Sequence, residues 1–437
     1  MCYQIGYKSS NISVMQKLRE KTYQLLRKSE KYFKTDMVYL VKGGSWLVFG
    51  QFISSASAFL LAIAFANLLP KETYGNYKYV LSIVSILSIP TLGGINTALT
   101  QAIARGYEGS LIPALKTKLR WGSLGGIASL ILSLYYYLNN NSVLTISFLI
   151  IAIFIPFVET LGIYGSLLNG KKLFNYSTKY YFISRIISVA ILITTIFFTN
   201  NLFIILLSYF LPWTTLRLFF LFISLKKFPL NNKEDSSTIS YGKHLSLIGI
   251  IGNFSMYFDN ILLFHYLGAV QVATYAFAFA PVDQIRALYK IIPTLGIPKL
   301  SSRSIKEIDS ILYKRLSKLF IIGTIIALLY YLTAPYLFKI LFPQYTDSIF
   351  FSQLLAIILL LRLPMSFLGA AVQSKLNITP KKWLYWRITP KVIFIITLLV
   401  LTPLYGIIGV ILSRTIFLLS SFVTNFIQWK MLLKKFS

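Results

Sequence analysis

The sequence is poor in acidic residues, cysteine and histidine. It has 13 Asp and Glu residues among 437, with one cysteine and two histidines. The lone Cys2 excludes an intrachain disulfide and a cysteine-rich metal site. His244 and His265 are too few and too far apart to indicate a metal or catalytic cluster. The sequence also has no Walker-type phosphate loop and no connection large enough for a catalytic domain, so we expect neither an enzyme nor a metal site.

Charged residues of both signs are scarce as well. They make up 13% of the chain, whereas a soluble globular chain has about 25%. Apolar residues, 56% of the total, cluster into about twelve runs of roughly 20 residues, which is the length that crosses a hydrocarbon core. The sequence therefore predicts an all-α polytopic membrane protein with about twelve transmembrane helices. The eleventh run, Val392–Pro403, is the shortest and extends to about Ile388.

The basic residues are distributed unevenly between the connections. Of 43 Lys and Arg, 34 lie in the N-terminal tail, in every second connection or after Trp429. Only Lys71 and Lys78 lie in or beside the other connections. Because Lys and Arg mark cytoplasmic loops, both termini are predicted to be cytoplasmic. The net charge of +30 is thus a signal of topology, and no nucleic acid is expected as a partner.

Polar segments divide the chain. Residues 1–42 form a basic cytoplasmic segment in which Met15–Tyr39 has helical amphipathic spacing, suited to an anionic leaflet or to a solvated tail. Residues 43–225 are predicted to form an N-terminal six-helix bundle, 226–244 a cytoplasmic linker and 245–430 a C-terminal six-helix bundle. Residues 431–437 are a cytoplasmic tail.

The two predicted bundles share a short repeat. Leu69 stands eight residues before Tyr77, as Leu267 does before Tyr275, at an offset of 198 residues. This offset is about the length of six helices with their loops. Six is an even number, so both halves enter the membrane in the same direction. Their pseudo-twofold axis is therefore predicted to run along the membrane normal, as in some transporters.

Charged residues inside the apolar runs are the candidate functional groups. A charge at bilayer depth is costly and usually faces a bundle interior or a wet cavity. The cations proposed to bind an anionic substrate are Arg286, Lys290, Arg362, Arg414 and Arg217. The acids proposed as ion-coupling candidates are Asp259, Asp283 and Glu159. Buried ion pairs between helices are the alternative role for Arg286, Lys290 and Arg362, and a salt-bridge role is the alternative for Asp259 and Glu159. The side chains close enough to span ends to reach the headgroups are those of Arg185, Lys339 and Arg217.

Two segments resemble a known family. The run from Phe59 to Tyr77, with Pro70-Lys-Glu-Thr-Tyr-Gly-Asn-Tyr77 at its end, resembles the first-helix signature of polysaccharide biosynthesis flippases of the Wzx type. The family has Gly-Pro where this chain has Pro70-Lys71. The stretch Tyr257–Ala269, with Asp259 at the characteristic acid, resembles the second-half counterpart, and Pro298-Lys-Leu-Ser301 is similar to the family's Pro-x-Leu-Ser.

This resemblance implies a fold and a cargo. The implied superfamily is that of multidrug, oligosaccharidyl-lipid and polysaccharide exporters, with two six-helix bundles around a cavity that opens alternately to each side. The implied cargo is an undecaprenyl-pyrophosphate-linked glycan, flipped from the cytoplasmic to the outer leaflet of a bacterial membrane. Membrane lipids and other polysaccharide-assembly proteins are the implied partners. No cofactor is implied beyond a coupling Na⁺ or H⁺.

Three alternatives remain open on the sequence. A multidrug cation exporter of the same superfamily would need acids facing its substrate, but intramembrane cations outnumber acids by 7 to 3. A lipid II flippase usually carries two further helices. A scaffold for a glycan-assembly complex would need no charged cavity.

Overall fold

The computed structural model describes residues 55–375 and 385–436. No strand occurs in these two stretches. The predicted amphipathic helix Met15–Tyr39 and the basic segment 1–42 lie outside the described residues. The helices are α1 (Ser55–Leu68), α2 (Lys71–Leu87), α3 (Gly94–Ala104), α4 (Leu111–Leu138), α5 (Ser142–Val158), α6 (Tyr164–Gly170), α7 (Phe174–Phe198), α8 (Leu202–Lys227), α9 (Ser237–Leu288), α10 (Ile291–Ser301), α11 (Ile305–Leu341), α12 (Ser348–Gln373) and α13 (Thr389–Phe436). We call α1–α8 the N-terminal half and α9–α13 the C-terminal half.

Seven of the described helical segments are long and apolar enough to cross a membrane, or eight if the bent pair α2–α3 is one span. Two of them are double. The backbone of α9 turns at Gly268, with φ of 82°, and that of α13 at Gly406, with φ of 56°, so each contains two helices. Glycine adopts positive φ without steric penalty, which permits these sharp turns. The polytopic all-α prediction is confirmed, whereas the count of twelve stays a prediction.

The outer faces of the helices are apolar. On α11, Ile321, Leu328 and Leu332 are each 58% exposed, and on α4 Ile131 is 64% exposed. A contiguous exposed apolar surface of this kind needs a hydrocarbon environment. These faces therefore mark where lipid contacts the protein.

The predicted second span is broken at its middle. The segment Ile89–Thr91 forms a single 3-10 turn, Leu92 has φ of 56°, and α2 and α3 meet at a bend of 40°. Pro90 cannot donate a backbone hydrogen bond, and Gly93 and Gly94 have low helix propensity. The proline and the two glycines therefore account for the interruption of the helix. The interrupted segment packs against α4.

The two repeated segments turn at equivalent positions and touch each other. The chain turns at Pro70, before α2, and at Gly268, which is the same offset of 198 residues. Gly75 lies so close to the second turn that an added Cβ would be 1.8 Å from the carbonyl oxygen of Ala269. Tyr77 and Tyr275 are both buried. These facts favour the repeat, while the pseudo-twofold axis stays a prediction.

The halves are joined by further contacts at this end, which the loop charges predict to be the outer end. Lys71 Nζ lies 2.8 Å from Asp347 Oδ2. Asn67 donates its side-chain amide to the Leu341 carbonyl at 2.9 Å. The rings of Tyr74 and Phe277 stack with centroids 4.5 Å apart. The predicted outer end is therefore closed between the halves.

The predicted linker is fastened to the N-terminal half. Glu108 Oε1 accepts from Lys171 Nζ at 2.6 Å, and Glu108 Oε2 accepts from the Asn231 backbone at 3.2 Å. Asp235 pairs with Arg105 at 2.6 Å. Hydrogen bonds from Ser237 lower the pKa of the Asp235 carboxyl, as does the nearby Arg105. These contacts attach the first part of the linker to the N-terminal half.

Substitution of Glu108 is expected to loosen the linker. The change Glu108→Gln removes the ion pair to Lys171 and weakens the bond to the Asn231 amide, because a neutral oxygen is a weaker acceptor. We expect trypsin to cleave after Lys233 several-fold faster, measured by mass spectrometry of the purified protein. Glu72→Gln, at an exposed site on α2 away from the linker, is the control, and equal cleavage of both variants would contradict this attachment.

Candidate functional site

A buried ion pair joins the two ends of the C-terminal half. The Asp259 carboxylate is fully buried and accepts from both Nε and a terminal nitrogen of Arg414, with Nε 3.2 Å from Oδ2. The Tyr275 hydroxyl donates to the same oxygen at 2.8 Å. The guanidinium of Arg414 also lies 4.4 Å from the ring centroid of Phe279. Asp259 therefore neutralises most of the charge that Arg414 was predicted to present to a substrate.

A second group of charged residues includes three further predicted site residues, Asp283, Arg286 and Arg362. Arg286 pairs with Asp283 one turn away on α9 and stands over Phe279, with its guanidinium carbon 5.2 Å from the ring centroid. Arg362, on α12, lies within electrostatic range of Arg286 and Asp283. Its guanidinium has no hydrogen bond or ion pair with any described residue. Lys290 is exposed and directly precedes α10.

Lys78 joins this group from the N-terminal half. Its ammonium lies within electrostatic range of Asp283 and Asp259, and 5.9 Å from the ring centroid of Tyr74. The sequence placed Lys78 beside an outer connection and missed this role. A signal was present, because Lys78, Ser82 and Ser85 recur at helical spacing and give α2 a polar stripe. Ser82 accepts from the side-chain amide of Asn260 on α9, which confirms that the stripe faces the other half.

We call Lys78, Asp259, Asp283, Arg286, Arg362 and Arg414 the interface cluster. It contains four cations and two acids, so its net charge is positive. Cations in partly desolvated surroundings attract anions much more strongly than in water. The guanidinium groups can also bind phosphate through two parallel hydrogen bonds. The cluster is therefore suited to hold a phosphate-bearing group.

Arg217 and Glu159 form a separate group inside the N-terminal half. Their side chains are 3.6 Å apart, and Arg217 also donates to the Val158 carbonyl and stacks 4.5 Å from the ring centroid of Trp213. Lys118, on α4, lies within electrostatic range of both charges. It is fully buried, and its Nζ has no hydrogen-bond partner among the described residues. The sequence missed Lys118 because basic residues before an apolar run normally mark a solvated loop.

Arg185 is also part of the N-terminal interior. It lies within electrostatic range of Tyr77 and Tyr209, and its Nε is buried with no partner in the described chain. The expectation that Arg185 reaches the headgroups is therefore wrong, because α7 turns this residue inward. Lys339, by contrast, is exposed near the end of α11.

The three acids predicted as ion-coupling candidates, Asp259, Asp283 and Glu159, each lie beside an arginine. The described residues contain no group of three His, Cys, Asp or Glu side chains that could hold a metal ion. Each of the three acids therefore already has a cationic partner. Their coupling role stays a prediction.

Comparison with known proteins identifies the family. Residues 40–294 match the family model described as "Polysaccharide biosynthesis protein", which is more than half of the chain. The chain belongs to this family. The match includes the Leu69–Tyr77 signature, the Asp259 segment and Arg286, so the resemblance read from the sequence is confirmed.

A curated relative of this family member is an uncharacterized membrane protein of Methanocaldococcus jannaschii. The two are 26% identical over 280 residues, which covers 57% of this chain and 55% of the relative. The chain thus spans about half the length of that relative in the match.

Solved structures with the same fold are transporters. The lipid II flippase MurJ, in an inward closed conformation, has a TM-score of 0.65 and 14% identity, over 89% of this chain and 87% of MurJ. A MATE transporter in complex with MaD5 has a TM-score of 0.59 and 13% identity, over 91% and 96% of the two chains. This polysaccharide biosynthesis protein is therefore a multi-pass membrane protein with a transporter fold. The solved neighbours named here are a flippase and a transporter, and neither is an enzyme by its description.

Proposed function

We propose that this protein flips undecaprenyl-pyrophosphate-linked oligosaccharide units, of O-antigen or capsule type, from the cytoplasmic to the outer leaflet of a bacterial cytoplasmic membrane. The observation that carries the proposal is the cationic interface cluster, within a member of the polysaccharide biosynthesis family. A pyrophosphate headgroup needs countercharge at bilayer depth, and Arg286, Arg362 and Lys78 supply it. The polyprenyl tail stays in lipid throughout.

The energy for this movement comes from the membrane potential in our proposal. An inside-negative potential favours outward movement of an anion by about 2.3 kcal/mol per charge per 100 mV. A coupling Na⁺ or H⁺ at Asp259, Asp283 or Glu159 would add to this drive. Release outside requires that the contacts of Lys71 and Gly75 across the outer end separate, which is the alternating-access step.

The test is transport by the purified, full-length protein. In vesicles with a fluorescent polyprenyl-pyrophosphate glycan, we expect the double change Arg286→Gln and Lys290→Gln to slow flipping at least about tenfold, because each charged hydrogen bond is worth about 1.5–3 kcal/mol. Lys339→Gln, at an exposed end of α11, is the matched control and should flip normally. Flipping by the double variant at the wild-type rate would reject the cationic path and favour the scaffold alternative.

A lipid II flippase is the second candidate, and a specific observation favours it. The TM-score with the MurJ flippase, 0.65, exceeds that with the MATE structure described above, 0.59. Both cargoes carry a pyrophosphate between lipid and sugar, so the same cluster would serve. Supplying lipid II in place of the oligosaccharide lipid in the vesicle assay distinguishes them. Efflux of organic cations with no glycan-lipid flipping would instead support the multidrug exporter.

A further inference from the structure

A cavity lies in the C-terminal half, and Arg362 of the interface cluster forms part of its wall. Its volume is about 310 Å³, and its walls come from α10, α12, α13 and the short helix Tyr385–Arg387. Gln373 and Asn425 line it near the predicted cytoplasmic ends of α12 and α13. The volume is at the lower end of the range for small-molecule sites, about 300–1,000 Å³. We call it the inner cavity.

The lining of the inner cavity is cationic. Arg362 and Arg387 both line it, and neither guanidinium has a hydrogen bond or ion pair within the described stretches 55–375 and 385–436. No Asp or Glu is among the lining residues. Lys391 lies within electrostatic range of Arg387 and adds positive charge at this end. Asp283, the acid near Arg362, is already paired with Arg286. Two arginines that line a concave site without a hydrogen-bonded acid indicate that an anion is the missing partner.

The remaining wall is rich in uncharged hydrogen-bonding groups. Gln373, Ser421, Thr424 and Asn425 all line the cavity. Amide and hydroxyl groups of this kind bond to sugar hydroxyls, each of which both donates and accepts. Phe417 supplies an apolar surface against which the C–H face of a sugar ring can pack.

A glycine keeps the cavity open. Gly369 lines it from α12, and a Cβ built there would lie 4.0 Å from the side-chain amide nitrogen of Asn425, with no nearer neighbour. A larger residue at 369 would therefore occupy the space in front of Asn425. This gives a steric means of testing occupancy without changing any charge.

From these contacts we propose that the inner cavity binds a sugar unit that carries an anionic group, a carboxylate or a phosphate. Arg362 and Arg387 hold the anionic group, while Gln373, Thr424 and Asn425 bond to the ring hydroxyls. The inference rests on the proposed function, because such a sugar would belong to the glycan of the cargo. Arg362 also lies within electrostatic range of Arg286, so it links the inner cavity to the interface cluster.

Binding to the full-length protein tests this proposal. Calorimetry in nanodiscs of zwitterionic lipid would use glucose, glucuronate, glucose 1-phosphate and inorganic phosphate as probes. We expect at least one of the two anionic sugars to bind at least about tenfold more tightly than both glucose and inorganic phosphate. The tighter of the two identifies the anionic group. Glucose binding equally well would overturn the anion requirement, and phosphate binding equally well would overturn the sugar requirement.

Variants assign the binding to this cavity. Arg387→Gln should weaken anionic-sugar binding at least about tenfold, because one charged hydrogen-bonding group is lost. Gly369→Leu should weaken it by blocking the space beside Asn425. Arg315→Gln, at an exposed site on α11, is the matched control and should bind normally. Unchanged binding in both Arg387→Gln and Gly369→Leu, with wild-type thermal unfolding, would overturn the proposal.

The outcomes separate this proposal from the flippase function. Tight binding of an anionic sugar by a protein that flips no glycan lipid would support the cavity and reject the flippase. If the wild-type protein flips the glycan lipid normally but binds no sugar at millimolar concentration, the flippase function is supported and the cavity proposal is rejected. The change Gln373→Glu adds a negative charge to the cavity wall and should weaken binding of the anionic sugar. Unchanged affinity would contradict the proposal that positive charge holds the anionic group.

Discussion

Replacing Asp259 with alanine is expected to destabilise the protein by about 3–5 kcal/mol, since removal of one partner leaves a buried charge uncompensated. Asp259 is fully buried, and the side chain of Arg414 is 16% exposed. The substitution also removes the acceptor of the Tyr275 hydroxyl. The measurement is thermal unfolding in detergent, together with the fraction of monodisperse protein after gel filtration.

The matched control for this prediction is an ion pair at the surface. Asp347→Ala breaks the pair with Lys71, but Asp347 is 71% exposed, so the expected change is within about 1 kcal/mol. Restoring neutrality with Asp259→Leu and Arg414→Leu together should recover most of the stability, because apolar replacements of buried pairs are often neutral. A double variant as unstable as Asp259→Ala would contradict the role of the unpaired charge.

Replacing Gly75 with alanine should open the predicted outer end and destabilise the protein by about 1–3 kcal/mol through overpacking. The added Cβ would lie 1.8 Å from the Ala269 oxygen, and that neighbour is backbone, which cannot rotate aside as a side chain does. The helices α2 and α9 must therefore separate. Cysteines at positions 71 and 347, where Lys71 and Asp347 are now paired, report the separation as a lower cross-linking yield.

Gly249 is the control for this change because it lies on α9 itself. No atom lies within 4 Å of a Cβ built at Gly249, so alanine there should stabilise the helix by up to about 1 kcal/mol. The same chemical change thus has opposite signs at the two sites. If Gly75→Ala is as stable as Gly249→Ala and cross-links like wild type, the close approach of α2 and α9 does not govern closure.

Several features of the fold were predictable because they depend on residues near one another in the chain. Apolar runs of roughly 20 residues identify helices that need a lipid environment. The break in the second span coincides with Pro90-Thr-Leu-Gly-Gly94, because proline and glycine weaken any helix they occupy. The resemblance of the segment around Asp259 to the family was likewise recognisable in the sequence. The family match, which includes this segment, confirms the family.

For the candidate site, the sequence predicted most of the residues but few of their contacts. The pairing of Arg286 with Asp283, three residues apart, follows from the sequence, whereas the pairing of Asp259 with Arg414 does not. Asp259 and Arg414 are 155 residues apart, and no local pattern links them. Lys78 and Lys118 were assigned to connections, because a basic residue at the start of an apolar run has the same sequence signature whether it points to water or inward.

The sequence by itself determined that this protein is a multi-pass membrane protein, that it resembles the polysaccharide biosynthesis family, and which charges lie within its apolar runs. These conclusions follow from length, hydropathy and short motifs, all of which are local. Only the tertiary structure decided that Asp259 neutralises Arg414, that Lys78 faces the other half, and that Arg362 and Arg387 line one cavity that has no acidic residue in its wall. The reason is physical: the cost of burying a charge depends on which groups the packing of distant helices brings to it.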